Sequence, residues 1–123
     1  MSDETKKRLR PSDVRNLIKF NHRMSMFIWS PDRWSIMAFV HGYEYGTSNK
    51  CRFTELLGAH IAKQYGLKTD SGGWSHQIAR FAEHRSLEWI DAYLLLSSEL
   101  LNSALAPIPG VELRNSRAKP RKT

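Results

Sequence analysis

Apolar residues recur at intervals of three and four along most of the chain, and this spacing predicts amphipathic helices. The first such segment follows Ser12, whose hydroxyl we expect to cap a helix that has Asp13 in its first turn. Val14, Leu17 and Ile18 form the apolar face of this segment. The sequence therefore predicts a first helix that packs one side against a core.

The clearest helix start in the chain is Ser30-Pro31-Asp32, where we expect Ser30 to be the N-cap and Pro31 to take the first helical position. Gly46 is expected to end this helix. Apolar residues cover most of its surface, and its main stripe consists of Trp34, Met37, Ala38, His41 and Tyr45. A helix that is apolar on nearly all sides is typical of a central, buried element. We therefore expect Trp34 to lie in the core.

Three further helices are predicted in the second half of the chain. The first spans residues 53–65 and stops at Gly66, and the next spans residues 74–84. Ser86 is expected to cap the last helix, which must end before Pro107 because proline cannot continue it. A polar loop separates residues 53–65 from residues 74–84.

These segments predict an all-α protein, a compact irregular bundle of four to five helices with disordered basic termini. The helical domain is predicted to span residues 12–105. Residues 1–11 are expected to be a flexible basic N-terminal segment, and residues 106–123 a flexible basic tail, because neither has a periodic apolar face.

The apolar run from Met24 to Trp29 is too short to assign to a helix or a strand. One interpretation packs Met26, Phe27 and Ile28 inward and uses Trp29 to cover the edge of the core. The other makes the run a surface that binds a partner. Inward packing is favoured for the first three residues, and both interpretations stand for Trp29.

The net charge of +7 is concentrated at the two ends of the chain. Residues 1–23 hold seven Lys and Arg against three Asp and Glu, and residues 106–123 hold five against one. Residues 24–105 hold seven against eight, so we expect a nearly neutral folded body without a basic recognition helix. The single cysteine, the charged N-terminus and the lack of a bilayer-length apolar run predict a cytoplasmic protein without a membrane segment.

Catalytic and metal-binding patterns were sought among the histidines, the cysteine and the glycines. His41 and Glu44 lie one turn apart, but His41 belongs to the apolar stripe and is expected to be a buried or half-buried structural residue. Cys51 precedes an arginine that could lower its pKa, although an inert thiol is the favoured interpretation. Gly72-Gly73 could present N–H groups to an anion, but a plain turn is favoured. We predict no enzyme, no cofactor and no metal.

From Arg23 to Leu101 the layout resembles a set of small helical bacterial domains, some of which are similar to immunity proteins of polymorphic toxin systems. Their pattern runs Arg-Pro-Gly-Met-Tyr-Leu-Gly, a helix ending in Gly-Tyr-x-x-Gly, a helix ending in Tyr-Gly, a Gly-Trp start and a Leu-rich last helix. The matching stretches here are residues 23–29, 38–46, 57–66, 73–74 and 88–101. Met24, Ser25 and Trp29 depart from the first motif, where Pro, Gly and Gly are expected. The resemblance implies a helical fold and a protein-binding inhibitor.

We therefore predict a non-enzymatic inhibitor that occludes a partner protein, either a toxin immunity protein or a phage-type anti-defence protein. Trp29 and Arg33 are the predicted partner-binding residues, because Trp and Arg are enriched at binding hot spots. The alternative is a nucleic-acid-binding or nucleoprotein accessory factor that uses its basic ends. The residues predicted for that role are Lys6, Lys7, Arg8, Arg10, Arg114, Arg117, Lys119, Arg121 and Lys122.

Overall fold

The computed structural model describes residues 8–105, which fold into helices without any strand. The all-α prediction is confirmed for this part of the chain. The elements are α1 (Pro11–His22), a short 3-10 helix (Met24–Met26), α2 (Arg33–Gly46), α3 (Phe53–Tyr65), α4 (Gly73–Arg85) and α5 (Trp89–Leu105). The predicted basic tail at residues 106–123 and most of the predicted N-terminal segment lie outside the described residues.

Helix α5 is the central element of the bundle, since it packs against α1, α3 and α4. Its buried face includes Tyr93, Leu96 and Leu101. The expectation that the helix after Ser30 is the central one was wrong, because α2 buries only two of its residues, Ile36 and Val40. Apolar composition on all sides of α2 does not lead to burial on all sides, since part of its surface faces solvent.

Helix α2 is attached to α1 by one aromatic pair and one polar cluster. The ring of Phe39 stacks on the buried ring of Phe20 with centroids 3.9 Å apart. One turn further along α2, the Tyr43 hydroxyl donates a hydrogen bond of 2.6 Å to the buried carboxylate of Asp13. Arg10 forms an ion pair with the same carboxylate at 2.7 Å. These contacts fix the orientation of α2 on the bundle.

The first two helices have other starting residues or N-caps than the sequence predicted. Helix α1 begins at Pro11, so Ser12 lies inside the helix and is not its cap. Helix α2 is capped by Asp32, whose carboxylate accepts a hydrogen bond of 2.9 Å from the N–H of Ser35. Ser30 is therefore not the N-cap. Aspartate and serine are comparable N-cap residues, and the chain uses the one that lies next to the first helical turn.

The ends of the helices follow the glycine signals more closely. Gly66 adopts a left-handed conformation with φ 71° directly after α3, as predicted. Ser86 was expected to cap α5 but instead takes the left-handed position after α4, with φ 57°. The next N–H, that of Leu87, donates to the carbonyl of Ala82, so α4 closes with a Schellman-type turn. Serine is usually favoured at the start of a helix, but Ser86 lies at the end of one.

Helices α3 and α4 approach closely where Gly58 faces Gln77. The buried Gln77 amide donates hydrogen bonds of 3.1 Å to the Gly58 carbonyl and 2.7 Å to the Leu67 carbonyl. A Cβ atom on residue 58 would lie 2.9 Å from the Gln77 Oε1 atom. A side chain at position 58 would therefore require the Gln77 amide, which connects the two helices and their loop, to shift.

Candidate protein-binding surface

Four large apolar side chains are exposed close together in sequence. The exposed fractions are 70% for Met26, 44% for Phe27, 99% for Trp29 and 67% for Trp34. We call these four residues the 26–34 surface. The predictions that Met26 packs inward and that Trp34 lies in the core were wrong. Trp29 is nearly fully exposed and does not cover the edge of the core, while its role in binding a partner stays a prediction.

The backbone that presents Trp29 is fixed on its N-terminal side by the 3-10 helix. The carbonyl of Met24 accepts hydrogen bonds from the N–H groups of Phe27, at 2.8 Å, and of Ile28, at 2.9 Å. The Met24 side chain is buried, and Ile28 packs partly against the core. Because its neighbours turn inward, the Trp29 side chain points away from the bundle.

Arg33 connects the exposed surface with the interior. Its guanidinium carbon lies 4.8 Å from the Trp34 ring centroid and 5.6 Å from that of Trp89. Its Nε–H donates a hydrogen bond of 2.9 Å to the Ser75 hydroxyl. The two residues predicted to bind a partner thus differ, since Trp29 is nearly fully exposed and Arg33 is half-buried and engaged within the chain.

A basic face that runs along α1 to its C-cap residue was not expected from the sequence. Arg15, Lys19 and Arg23 are spaced four residues apart and are all exposed, while Val14 and Leu17 are buried on the opposite side. These charges were expected to belong to a basic end outside a nearly neutral body. The spacing of the three residues was the signal that could have placed them on one side of the folded domain.

The basic residues predicted for nucleic-acid contact lie mostly outside the described part of the chain. Arg8 is exposed, and Arg10 forms an ion pair with Asp13. The others fall outside residues 8–105, namely Lys6, Lys7, Arg114, Arg117, Lys119, Arg121 and Lys122.

The pKa values of the ionisable groups around Asp13 differ from their ordinary values. Burial raises the pKa of the Asp13 carboxyl, but hydrogen bonds from Arg10 and Tyr43 outweigh burial, so its pKa lies below the ordinary value. Burial also raises the pKa of Tyr43 to about 12 and that of Cys51 to about 11. Cys51 is buried and stays a neutral thiol at neutral pH, so the interpretation with a lowered pKa was wrong.

The histidines take part in separate local contacts. His41 was expected to be buried or half-buried but is exposed, where its Nε2 atom accepts a hydrogen bond of 3.3 Å from the Trp74 indole. His60 contacts Glu99 at 2.9 Å, and the Tyr65 hydroxyl donates to the same carboxylate at 2.7 Å. The hydrogen bond to Glu99 raises the pKa of Tyr65, so its phenol remains protonated. These contacts connect α3 to α5.

In the Gly72-Gly73 turn, the N–H of Gly72 already binds a carboxylate of the same chain, that of Asp70. The Gly72 N–H donates a hydrogen bond of 2.8 Å to Asp70, which also pairs with His76 at 2.9 Å. Gly73 adopts a φ of 73°, which suits glycine. The plain turn, stabilised by Asp70, accounts for this motif.

Across residues 8–105, no three His, Cys, Asp or Glu side chains are grouped so that they could hold a metal ion. No helix in that range combines the length and the apolar content that crossing a membrane requires. Comparisons with protein-family models, with curated proteins and with solved structures found no match.

Proposed function

We propose that this protein is a non-enzymatic inhibitor that binds a partner protein through the 26–34 surface and occludes that partner's working site. The observation that carries the proposal is the exposure of two tryptophans, a methionine and a phenylalanine within nine consecutive residues. Grouped exposed apolar side chains mark interaction surfaces, because leaving them in water is unfavourable. Tryptophan also contributes strongly to binding free energy when a partner covers it.

The local backbone supports this role. Trp29 lies between the buried anchors Met24 and Ile36, and Asp32 caps the helix that follows. The backbone of such an anchored segment loses little further conformational freedom on binding. Occlusion by a fixed surface requires no catalytic group.

Among inhibitors, we favour a toxin immunity protein or a phage-type anti-defence protein. This narrower assignment rests on the resemblance of residues 23–101 to small bacterial immunity proteins, and on the departure of Trp29 from their pattern. The departure falls where a partner-specific surface is expected to vary. The single, buried cysteine supports action in the reducing cytoplasm.

The test begins with affinity purification and mass spectrometry to identify the partner, followed by calorimetry on the purified pair. Trp29→Ala is expected to weaken binding by at least about 2 kcal/mol, or roughly 30-fold in Kd. Leu95→Ala, at an exposed leucine of α5, is the matched control and should change the affinity by less than about 1 kcal/mol. The partner's activity should be lost at equimolar inhibitor.

Arg33→Ala completes the set, since Arg33 is the second predicted contact. If folded Trp29→Ala and Arg33→Ala variants both bind with less than about 1 kcal/mol loss, the 26–34 surface is not the interface. A partner that remains fully active in the equimolar complex would refute inhibition while leaving binding intact.

The basic face of α1 favours a second candidate, a nucleic-acid-binding accessory factor. Arg15, Lys19 and Arg23 add three exposed cations to the folded domain, beyond those of the chain ends. This function would be supported if the affinity for an oligonucleotide falls strongly as the salt concentration rises. The slope of log affinity against log salt concentration should then decrease by about 0.7–0.9 for each phosphate contact that a substitution removes.

A further inference from the structure

A groove of about 480 Å³ lies where α1 ends and the 3-10 helix begins. The end of α1 and its following residue supply Lys19, His22 and Arg23 to its lining, and the next residues supply Met26 and Phe27. One part of the lining is therefore basic and the other apolar. The volume falls within the range of sites that hold a ligand-sized group.

The basic residues of the groove have no acidic partner in the described part of the chain. None of the ion pairs among residues 8–105 includes Lys19, His22 or Arg23. Arg15 lies one turn earlier on the same face of α1 and extends the positive charge. The groove thus presents a positive potential that a carboxylate-bearing ligand would complement.

The apolar residues of the groove suit an inserted side chain. Met26 is largely exposed, and its flexible thioether can adapt to the shape of a partner group. Phe27 is held by the rings of Phe20, at 5.8 Å, and Phe39, at 5.6 Å, so that part of its surface remains open. A ligand must therefore carry an apolar group as well as negative charge.

We infer that this groove binds an acidic segment of the partner polypeptide, in which carboxylates flank one large apolar side chain. The carboxylates pair with Lys19 and Arg23, and the apolar side chain packs on Met26 and Phe27. The inference rests on the proposed function, because it names the chemistry of the partner segment that lies beside the 26–34 surface.

A single nucleic-acid strand fits this groove less well. Such strands follow extended basic grooves in which successive bases stack on exposed aromatic faces. The aromatic lining residues of the groove are His22 and Phe27, so it offers two rings and no extended row of them, and the Phe27 ring already packs against two other phenylalanines. An aliphatic or aromatic side chain needs only apolar contact, which Met26 and the open part of Phe27 provide.

The experiment uses the full chain and the fluorescein-labelled peptide Gly-Glu-Glu-Trp-Glu-Glu-Gly, with fluorescence anisotropy as the readout. The same peptide with Ala in place of Trp tests the apolar anchor, and Gly-Ser-Ser-Trp-Ser-Ser-Gly tests the charge. We expect the acidic Trp peptide to bind and each of the other two to bind at least about tenfold more weakly.

Variants then locate the site. The double variant Lys19→Glu/Arg23→Glu and the single variant Met26→Ala should each weaken the acidic Trp peptide at least about tenfold. Lys63→Glu, at an exposed position of α3, is the matched charge control and should remain within about twofold of the wild type. Circular dichroism and melting temperature verify that every variant is folded.

Three outcomes of the peptide experiment overturn the inference. The first is absence of acidic Trp peptide binding, and the second is equal binding of the Ala peptide, which would show unspecific charge attraction. The third is displacement of the peptide by an equal concentration of a thymidine oligonucleotide, which would favour nucleic acid. Failure of the groove can be told apart from failure of the proposed function. If the partner complex is lost in Trp29→Ala but is unaffected by Lys19→Glu/Arg23→Glu, the groove alone is refuted.

Discussion

The packed helices α3 to α5 and the segment from Met26 to Tyr45 are both rich in aromatic residues, but the segment leaves several of them exposed and packs Phe39 and Tyr43 against α1. In the packed helices Tyr93 and Phe81 are buried. In the segment Trp29 and Trp34 are exposed, and Tyr45 is 80% exposed. The helical spacing of aromatic residues therefore predicts that they share one face of a helix. Whether that face is buried depends on the packing of the neighbouring helices.

The comparison also separates stability from recognition. Removing a buried aromatic leaves a cavity lined by atoms that have lost their contacts, whereas removing an exposed one leaves solvent. We therefore expect the packed helices to carry the folding free energy and the segment to carry the binding free energy.

Phe81→Ala should give the largest loss of stability, about 3–5 kcal/mol, which is the usual cost of removing a buried phenylalanine. Phe81 packs edge-on against Tyr65 with ring centroids 4.9 Å apart, and the Arg85 guanidinium lies 4.7 Å from its ring. Urea denaturation followed by circular dichroism measures the change. A variant as stable as the wild type would show that these helices do not carry the folding free energy.

Asp13→Ala should give an intermediate loss, about 2–3 kcal/mol at neutral pH, because it removes hydrogen bonds between a buried charge and its partners. This prediction tests how the exposed segment is held on the bundle, since Tyr43 of α2 donates to that carboxylate. The matched variant Tyr43→Phe removes the same hydrogen bond from the other side, and a double-mutant cycle gives the coupling energy.

The Asp13 contribution should also depend on pH in a defined direction. Its pKa is lower in the folded protein than the ordinary value of 3.8, so the unfolded chain binds the proton more readily. The ionised Asp13 therefore contributes its full stabilisation of the fold at pH values above that ordinary pKa. This stabilisation is lost as the pH falls through the pKa of the folded state. Denaturation from neutral pH to about pH 2 should show a smaller acid-induced loss in Asp13→Ala than in the wild type. Equal losses in both proteins would contradict the assignment.

Trp34→Ala should give the smallest loss, about 0.5–1 kcal/mol, which is the usual value of an exposed cation–π contact such as the one with Arg33. Arg33 keeps its hydrogen bond to Ser75 and its contact with Trp89 in this variant. Thermal melting compared directly with Phe81→Ala provides the measurement. A loss as large as that of Phe81→Ala would mean that the segment is part of the core.

Much of the helical layout was predictable because the apolar spacing marks the helices and a glycine marks the end of α3, whereas the predicted N-caps were wrong. Helix α3 has the predicted bounds, Phe53–Tyr65, since Gly66 supplies the left-handed residue that follows it. The identity of the central helix was not predictable from apolar content. Helix α5 is central because three other helices cover it, and such coverage depends on tertiary contacts that no local pattern contains.

The candidate surface was only partly predictable. Trp29 was recognised by residue type and by its place between two helices, but its exposure depends on Met24 turning inward in the 3-10 helix. Met26 and Phe27 could not be assigned to the surface, because a three-residue helix has too few positions to establish a period. The basic face of α1 was detectable from the spacing of Arg15, Lys19 and Arg23 alone.

The buried Cys51 makes the protein convenient for site-specific labelling. Its thiol is inaccessible and has a pKa of about 11, so a maleimide reagent at neutral pH should leave it unmodified. A cysteine introduced at an exposed position outside the 26–34 surface, such as Lys63, would then be the only thiol in the chain that reacts readily. A fluorophore or crosslinker could be attached there without first replacing Cys51.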